Sequence, residues 1–304
     1  MTNRVVIVGS VAKDSIETPF GRVANTVGGS CVYSSIAASF FAPAAVIGVV
    51  GEDFPKAFLK KMSARGIDVK GIKIAEGKTF FWRGKYSSDL NTAETLETQL
   101  NVFGNFSPEI PAEYLPEKYL FLANIDPELQ IKVLEKMKTS GKCRFAAGDT
   151  MNFWIGGKKK KLEKLFSHLE ALLINEAEIR QFTGEHNIIK AVKRILALGV
   201  KVVVVKKGEY GAACFMKNRM FFLPAYPLRN AVDPTGAGDS FAGAFMGFLA
   251  GNGETNWDNI KKAAVYGAVV SSFTVSGFGV SRLMTLTKKE LAKRYADFVN
   301  LIRI

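Results

Sequence analysis

Cysteine is scarce in this chain of 304 residues: Cys31, Cys143 and Cys214 are the only three, widely spaced and odd in number. That excludes a disulfide framework and a zinc cluster, and makes a reducing cytoplasm the expected compartment. Long apolar runs are missing too. The longest, around Ile36 to Val50, is broken by Ser39 and Pro43 and is too short to span a bilayer. The N-terminal Met1-Thr-Asn-Arg-Val-Val-Ile-Val-Gly9 passes straight into a strand-like run and lacks the apolar region and cleavage site of a signal peptide. No membrane partner is expected. Acidic residues are in deficit, 28 against 41 Lys and Arg, for a formal net charge of +13. The lysines are spread along the chain. Their one run, Lys158 to Lys161, continues into Leu162, Leu165 and Phe166 at helical spacing, as the solvated start of an amphipathic helix does. Without a helix-turn-helix, a zinc finger or an RNP-like aromatic motif, this charge suits anionic small substrates and not nucleic acid.

Apolar residues make up 48% of the chain, enough for a sizeable core. Arg4 to Gly9 reads as a buried first strand, and Lys13 to Val27, with Pro19 and Gly21, as a short hairpin. Gly28-Gly29-Ser30 opens a helical stretch from Cys31 to Phe41. Ala45 to Val50 is β-rich, a Pro55-led helix runs to Ala64, and Ile67 to Ile74 is strand-like. Thr79 to Phe103 is expected to be β-structure outside the main core. From Tyr119 onward short apolar strands (Tyr119 to Ala123, Arg144 to Ala147, Ala171 to Ile174, Val200 to Val205) alternate with helical segments near Pro127 to Lys138, Lys158 to His168 and Glu176 to Leu198, the last with a break expected near Gly184, which implies βαβ units and a parallel sheet. A hairpin over Gly211 to Leu223 and helices at Gly236 to Ala250, Asn256 to Ser276 and Lys288 to Leu301 complete the chain. The expected architecture is one α/β domain over residues 1–304. Its sheet is doubly wound, mainly parallel and flanked by helices.

The most informative segment is Asp233-Pro-Thr-Gly-Ala-Gly-Asp239-Ser-Phe, directly ahead of the apolar helix Phe241 to Leu249. Gly236, Ala237 and Gly238 fall where a helix begins, and a helix start carries unpartnered N–H groups and a dipole that favours anions. Glycines let a phosphate approach those groups. Asp239 would stand beside that phosphate, an odd neighbour unless the carboxylate takes a proton from an attacking hydroxyl. The alternative is an ordinary first-turn acid complementing the dipole. In open α/β sheets ligands bind beyond the carboxyl ends of the strands. Asp14, Asn124, Asp126, Asp149, Asn152, Asn175 and Glu178 all lie there, though any of them could be a helix cap.

The Asp233 to Phe241 segment resembles the C-terminal signature of the ribokinase-like (PfkB) family of carbohydrate and nucleoside kinases, D-T-x-G-A-G-D. The resemblance implies the ribokinase-like fold with a small β-sheet lid, built from insertions near residues 13–27 and 73–105. It implies Asp239 as general base, with Gly236, Ala237 and Gly238 in the catalytic turn and the N–H groups of Ala237, Gly238 and Asp239 forming the anion hole. Gly28-Gly29 is similar to the family's N-terminal glycine pair, and Asp14 to its acceptor-gripping acid. Asn124 and Asp149 are further acceptor-side candidates. Asn175-Glu-Ala-Glu178 resembles the N-x-x-E motif that organises Mg²⁺ and its waters; it equally reads as a capping box. Lys206-Lys207-Gly-Glu-Tyr-Gly211 is similar to the nucleotide border, which places Lys206, Gly208 and Gly211 there. Ser272 and Gly277 fall in a region resembling the adenine rim, and Asp233 with Thr235 could share a K⁺ ion.

One departure bears on the substrate. Asp149-Thr-Met-Asn-Phe-Trp154 keeps the Asp, Asn and Trp of a D-x-N-x-R-x-x-L-W pattern but lacks its Arg, which argues against an acidic acceptor. Phe80, Phe81, Trp82 and Tyr86 are expected on the lid, either over the substrate or packed among themselves. The expectation is an ATP- and Mg²⁺-dependent kinase of a small sugar, polyol or nucleoside, with ADP as an alternative donor and a homodimer plausible through exposed lid strands. The rival readings are a pyridoxal-type vitamin kinase and a non-catalytic binding protein on the same fold.

Overall fold

The computed structural model describes residues 3–303. Its strands are β1 (Val5–Val8), β2 (Ala12–Thr18), β3 (Gly21–Gly28), β4 (Ala44–Gly51), β5 (Ile67–Ala75), β6 (Phe80–Tyr86), β7 (Ala93–Gln99), β8 (Tyr119–Leu122), β9 (Phe145–Gly148), β10 (Ala171–Asn175), β11 (Val202–Lys206), β12 (Ala212–Met216) and β13 (Arg219–Leu223). The helices are α1 (Ser30–Ala38), α2 (Lys56–Ala64), α3 (Pro127–Thr139), α4 (Asn152–Gly157), α5 (Lys159–Phe166), α6 (Glu176–Thr183), α7 (Ile188–Ala197), α8 (Ala237–Asn252), α9 (Trp257–Thr274), α10 (Ser281–Thr285) and α11 (Lys288–Ile302).

Nine strands form one sheet in the order β13-β12-β11-β10-β9-β8-β1-β4-β5. From β11 to β5 every neighbouring pair is parallel, and the pairs β11–β12 and β12–β13 are antiparallel, so β12 is the reversed strand. β1 lies between β4 and β8, so the chain builds outward on one side of it and then on the other. That reversal is the switch point at which an open α/β sheet leaves a crevice beyond its carboxyl ends. Strands buried on both faces need apolar residues on both, and β1 is Val-Val-Ile-Val throughout. Val5 and Ile7 face the core under α1, α8 and α9, while Val6 and Val8 face the opposite core under α3, α5, α6 and α7.

A separate sheet, ordered β3-β2-β6-β7, stands apart from the large one. The hairpin β2–β3 and the hairpin β6–β7 supply it, joined through the parallel pair β2–β6. Residues 73–75 finish β5 in the large sheet, and Asn101–Asn105 is a 3-10 turn. The expected break near Gly184 is present: Gly184 takes a left-handed conformation with φ 69° and ends α6. The short helices α4 and α10 were not foreseen, because five or six residues carry no periodicity to read.

α8 lies almost backbone-on-backbone against α1. A Cβ on Gly243 would fall 2.1 Å from the Ser34 carbonyl oxygen, and one on Gly247 would fall 2.7 Å from the Ala38 Cα and carbonyl oxygen. Gly251 repeats the pattern against Phe41, so glycines at i, i+4 and i+8 make one flat stripe. Asp239 is one turn ahead on the same stripe, and Ser34 Oγ donates to its carbonyl at 3.1 Å. Gly243→Ala should therefore push the helices apart and destabilise the protein by about 1–3 kcal/mol; a urea midpoint as high as that of the unaltered protein would contradict this packing.

Candidate active site

Gly236 precedes α8 in a left-handed conformation, φ 72° and ψ 4°, so the helix begins at Ala237, one residue later than the motif suggests. The Ala237 N–H closes a turn on the Pro234 carbonyl at 3.1 Å. The Gly238 and Asp239 N–H groups take no part in the backbone hydrogen bonds among the described residues. Of the three amides expected to form the anion hole, these two are free to bind an anion. The turn is held from below by Asp233, whose Oδ1 accepts from Thr235 N at 2.9 Å and whose Oδ2 accepts from Gly279 N at 2.8 Å. Thr235 Oγ1 donates to Tyr86 Oη at 3.2 Å. These bonds occupy both carboxylate oxygens and the hydroxyl expected to share a potassium ion. They tie the loop to the 276–279 turn and to the small sheet.

Asp14, at the root of β2, is 4% exposed. A Cβ on Gly28 would lie 1.8 Å from its Oδ2, and one on Gly29 would lie 2.5 Å from the Ser10 carbonyl oxygen. The glycine pair thus makes room for a carboxylate and for a sharp chain turn, with φ 96° at Gly29, from which α1 starts. Burial first, and then the charges of Asp233 and Asp239, push the Asp14 carboxyl up to about 8; the Gly29 amide partly offsets the rise. Tyr33 and Tyr86 share this corner: the charges of Asp14, Asp233 and Asp239 reach both phenols and, behind burial, hold each above its ordinary value. Tyr33 is not among the sequence candidates, since it sits in the small-residue, apolar helical stretch from Cys31 to Phe41. The available signal was a hydroxyl there that would need a partner.

On the other side of α8 the side chain of Lys206, the last residue of β11, reaches across the first turn. A Cβ on Gly238 would be 3.0 Å from its Nζ. Among the described residues Lys206 forms no ion pair, yet its charge opposes the upward shifts of three acids around it. Asp239 is raised by burial and lowered by Lys206. Asp149, 3% exposed with Oδ1 unpartnered among the described residues, is held well above the ordinary carboxylate range by burial, against Lys206, with Asp239 and Glu178 adding to the rise. Asp149, expected on the acceptor side, thus has Lys206, Asp239 and Glu178 as its charged neighbours. Asn175 and Glu178 form a full capping box: Glu178 N donates to Asn175 Oδ1 at 2.7 Å and Asn175 N donates to Glu178 Oε2 at 2.9 Å. Burial raises Glu178, which Lys206 and the Asn175 amide oppose.

The remaining candidates divide. Asn124 Oδ1 accepts from the Trp154 indole at 3.1 Å beside Met151, at the rim of the crevice. Gly208, φ 55°, meets Asn91 of the small sheet's loop, and Asn91 Nδ2 donates to Glu209 at 3.3 Å. Gly211, φ 90°, is required by the backbone, since a Cβ would strike the Leu223 carbonyl oxygen at 2.1 Å. Ser272 points away: its hydroxyl donates to the Val269 carbonyl and accepts from Arg294. The adjacent Ser271 faces α8 instead, donating to Ala237 O at 2.8 Å. One helical step, about 100°, separates the two, which spacing in sequence could not resolve. Gly277 packs on Arg282. Of the small-sheet aromatics Tyr86 meets α8's loop through its hydroxyl, Phe80 stacks on Phe103 at 5.1 Å, and Trp82 lies over Gly84.

A family model described as pfkB family carbohydrate kinase matches residues 3–286. The chain belongs to the pfkB family. It is a kinase of the ribokinase-like type, acting on a sugar or a nucleoside. A cytidine kinase of Thermococcus kodakarensis is 32% identical over 252 residues, spanning 81% of this chain and 87% of the relative. Among solved pfkB-type folds, the ribokinase of Giardia lamblia superposes with a TM-score of 0.82 at 18% identity, covering 98% of this chain and 100% of that one. An E. coli chain crystallised with ATP and Mg²⁺ gives 0.80 at 18% identity, covering 97% and 99%. The pyridoxal-type alternative is not supported. No helix among the described residues of this pfkB protein is long and apolar enough to cross a membrane.

The raised acids set a pH dependence. The Asp14 carboxyl sits at about 8 in the folded chain against 3.8 for an unperturbed Asp, so the folded state holds the extra proton between those values. Stability from that proton is complete below about pH 4 and declines as pH rises towards 8. Asp14→Asn should then raise Tm more at pH 8 than at pH 6; an equal effect at both would show that Asp14 titrates normally.

Proposed function

We propose that the protein transfers the γ-phosphoryl group of ATP, with Mg²⁺, to a primary hydroxyl of a nucleoside or sugar, with Asp239 as general base. The observation that carries the reading is the start of α8. There one carboxylate stands in the same helical turn as two free amides and beside a lysine ammonium. A purely structural first-turn acid would gain nothing from being raised by burial and kept next to a glycine-lined anion site. The acceptor hydroxyl lies between Asp14 and Asp239. Asp239 takes its proton as the oxygen attacks phosphorus in line. The Gly238 and Asp239 N–H groups donate to the oxygens on which charge builds. Lys206 opposes the burial-driven rise of Asp239 and so favours the ionised form that can accept a proton. Asp14 and the Gly28-Gly29 turn orient the acceptor. The small sheet acts as the lid, and its Tyr86 contact with Thr235 and Asn91 contact with Glu209 hold it over both halves of the crevice, excluding water.

The donor set fits magnesium. Mg²⁺ takes oxygen ligands, keeps several waters and needs few protein carboxylates. Glu178, oriented by Asn175, and the unpartnered Asp149 oxygen meet that need. The ion when bound neutralises phosphate charge. What supports a nucleoside as the first acceptor to try is the cytidine kinase relative, which aligns over most of the chain. Three free cysteines, two of them buried, suit a cytoplasmic setting.

Asp239→Asn should keep the fold and nucleotide binding and lose on the order of 10²–10⁴ in turnover. ADP release from ATP and Mg²⁺ against cytidine, other nucleosides, ribose, fructose and inositol, with the variant alongside, checks both base and acceptor. Near-normal turnover in the variant would remove Asp239 from its role. ATP bound but not consumed by the unaltered protein across the panel would favour a binding protein instead.

A further inference from the structure

Tyr33 has no part in the mechanism above, yet its hydroxyl is the least explained polar group near it. The residue is 1% exposed in the first turn of α1, its N–H bonded to the Gly29 carbonyl at 3.2 Å. Its ring lies directly beneath the anion-hole turn: a Cβ on Gly236 would be 2.3 Å from its Cγ. The hydroxyl is buried and has no hydrogen-bond partner among the described residues. Its electrostatic neighbours are Asp14, Asp233, Tyr86 and Asp239, which come from the small sheet, the anion-hole loop and α8. Leaving a buried O–H unpaired is costly, and buried tyrosines usually find a partner. Packing alone would be served by phenylalanine. The ring is pinned between the glycine turn of α1 and that of α8, so the hydroxyl has little freedom to turn away.

We infer that the Tyr33 hydroxyl is an acceptor-binding group, donating to a ring hydroxyl of the phosphoryl acceptor next to the hydroxyl that Asp239 deprotonates. The acceptor class that fits is a furanose-like polyol: one hydroxyl reacts, Asp14 accepts from the neighbouring hydroxyls, and Tyr33 donates to an oxygen of the same ring. Asp14 can donate only through the single proton it holds below about pH 8 and once ionised it only accepts, so the phenol is the donor that remains in both states. Burial and the surrounding carboxylates keep the phenol protonated, as a donor must be. This inference rests on the kinase reading, which places the acceptor between Asp14 and Asp239.

The test is Tyr33→Phe in the full chain, which keeps the ring and removes one oxygen. With cytidine and ribose as acceptors, kcat/KM for the acceptor should fall about tenfold while KM for ATP stays unchanged. Deoxy counterparts lacking one ring hydroxyl at a time identify the partner. At one position the unaltered protein should lose the same factor that the variant loses, and the variant should lose nothing further. The empty variant should be as stable as the parent or higher in Tm by about 2 °C, since it sheds an unpaired buried group. A less stable empty variant would mean that the hydroxyl has a structural partner and would overturn the inference. So would unchanged acceptor kinetics, or losses that multiply at every deoxy position. If the unaltered protein neither binds nor phosphorylates any acceptor, the kinase reading and the donor role fall together. If it turns over and Tyr33→Phe is kinetically silent, the donor role alone falls.

Discussion

The site depends on how closely α1 and α8 approach each other. Both helices begin at a glycine turn, Gly29 with φ 96° and Gly236 with φ 72°, and both point their N-termini into the crevice at the sheet's switch point. The stripe of Gly243, Gly247 and Gly251 brings α8 onto the α1 backbone, and Asp239 continues that stripe into the site. Asp239, the amides of its helical turn and Tyr33 therefore share one rigid contact. A side chain on that seam would move them together, because close-packed interiors transmit a displacement and do not absorb it.

Around this seam the protein gathers more negative charge than it neutralises. Asp14, Asp149, Asp233, Asp239 and Glu178 are all raised by burial, and Lys206 is the cation that acts on three of them. Asp233 differs from the rest in that two backbone amides take up its carboxylate, which gives it a structural task. The others have oxygens to spare. Such an arrangement is unfavourable in the empty chain and becomes favourable when hydroxyls, a cation and a polyphosphate enter together, which is how a site trades stability for binding. The surplus of lysine and arginine over acidic residues gives the whole chain a positive field, which favours anionic ligands at longer range.

Most of the architecture was legible because it rests on short-range patterns. β1 and β8 to β11 are apolar runs of four or five residues, the capping box Asn175–Glu178 is a spacing of three, and the break at Gly184 is a single residue type. The hairpin β2–β3 was visible from Pro19 and Gly21. Errors fell where a register or a facing direction decided the outcome. Ser271 and Ser272 are adjacent, and only the rotation of α9 against α8 selects the one that meets Ala237. Asp149 follows β9 as Asn124 follows β8, and no spacing in the sequence could show that, beside burial, the groups acting on it are Lys206, Asp239 and Glu178, contributed by β11, α8 and α6. Of the small-sheet aromatics, strand pleat and sheet placement bring the Tyr86 hydroxyl to the loop ahead of α8.

By itself the sequence determined the kind of machine. The glycines and Asp239 ahead of an apolar helix, the glycine pair ahead of another, and alternating strands and helices specify an α/β fold with an anion site, because each is a local constraint on φ, on hydrogen bonding or on burial. Only the tertiary structure decided which groups confront one another. It set two of three amides free, turned Lys206 across the first turn of α8, bound Asp233 into the loop and left the Tyr33 hydroxyl without a partner. Those outcomes depend on the packing of elements some 200 residues apart in the chain, where distance and orientation are set by side-chain volume and helix rotation and leave no periodic trace in the residues themselves.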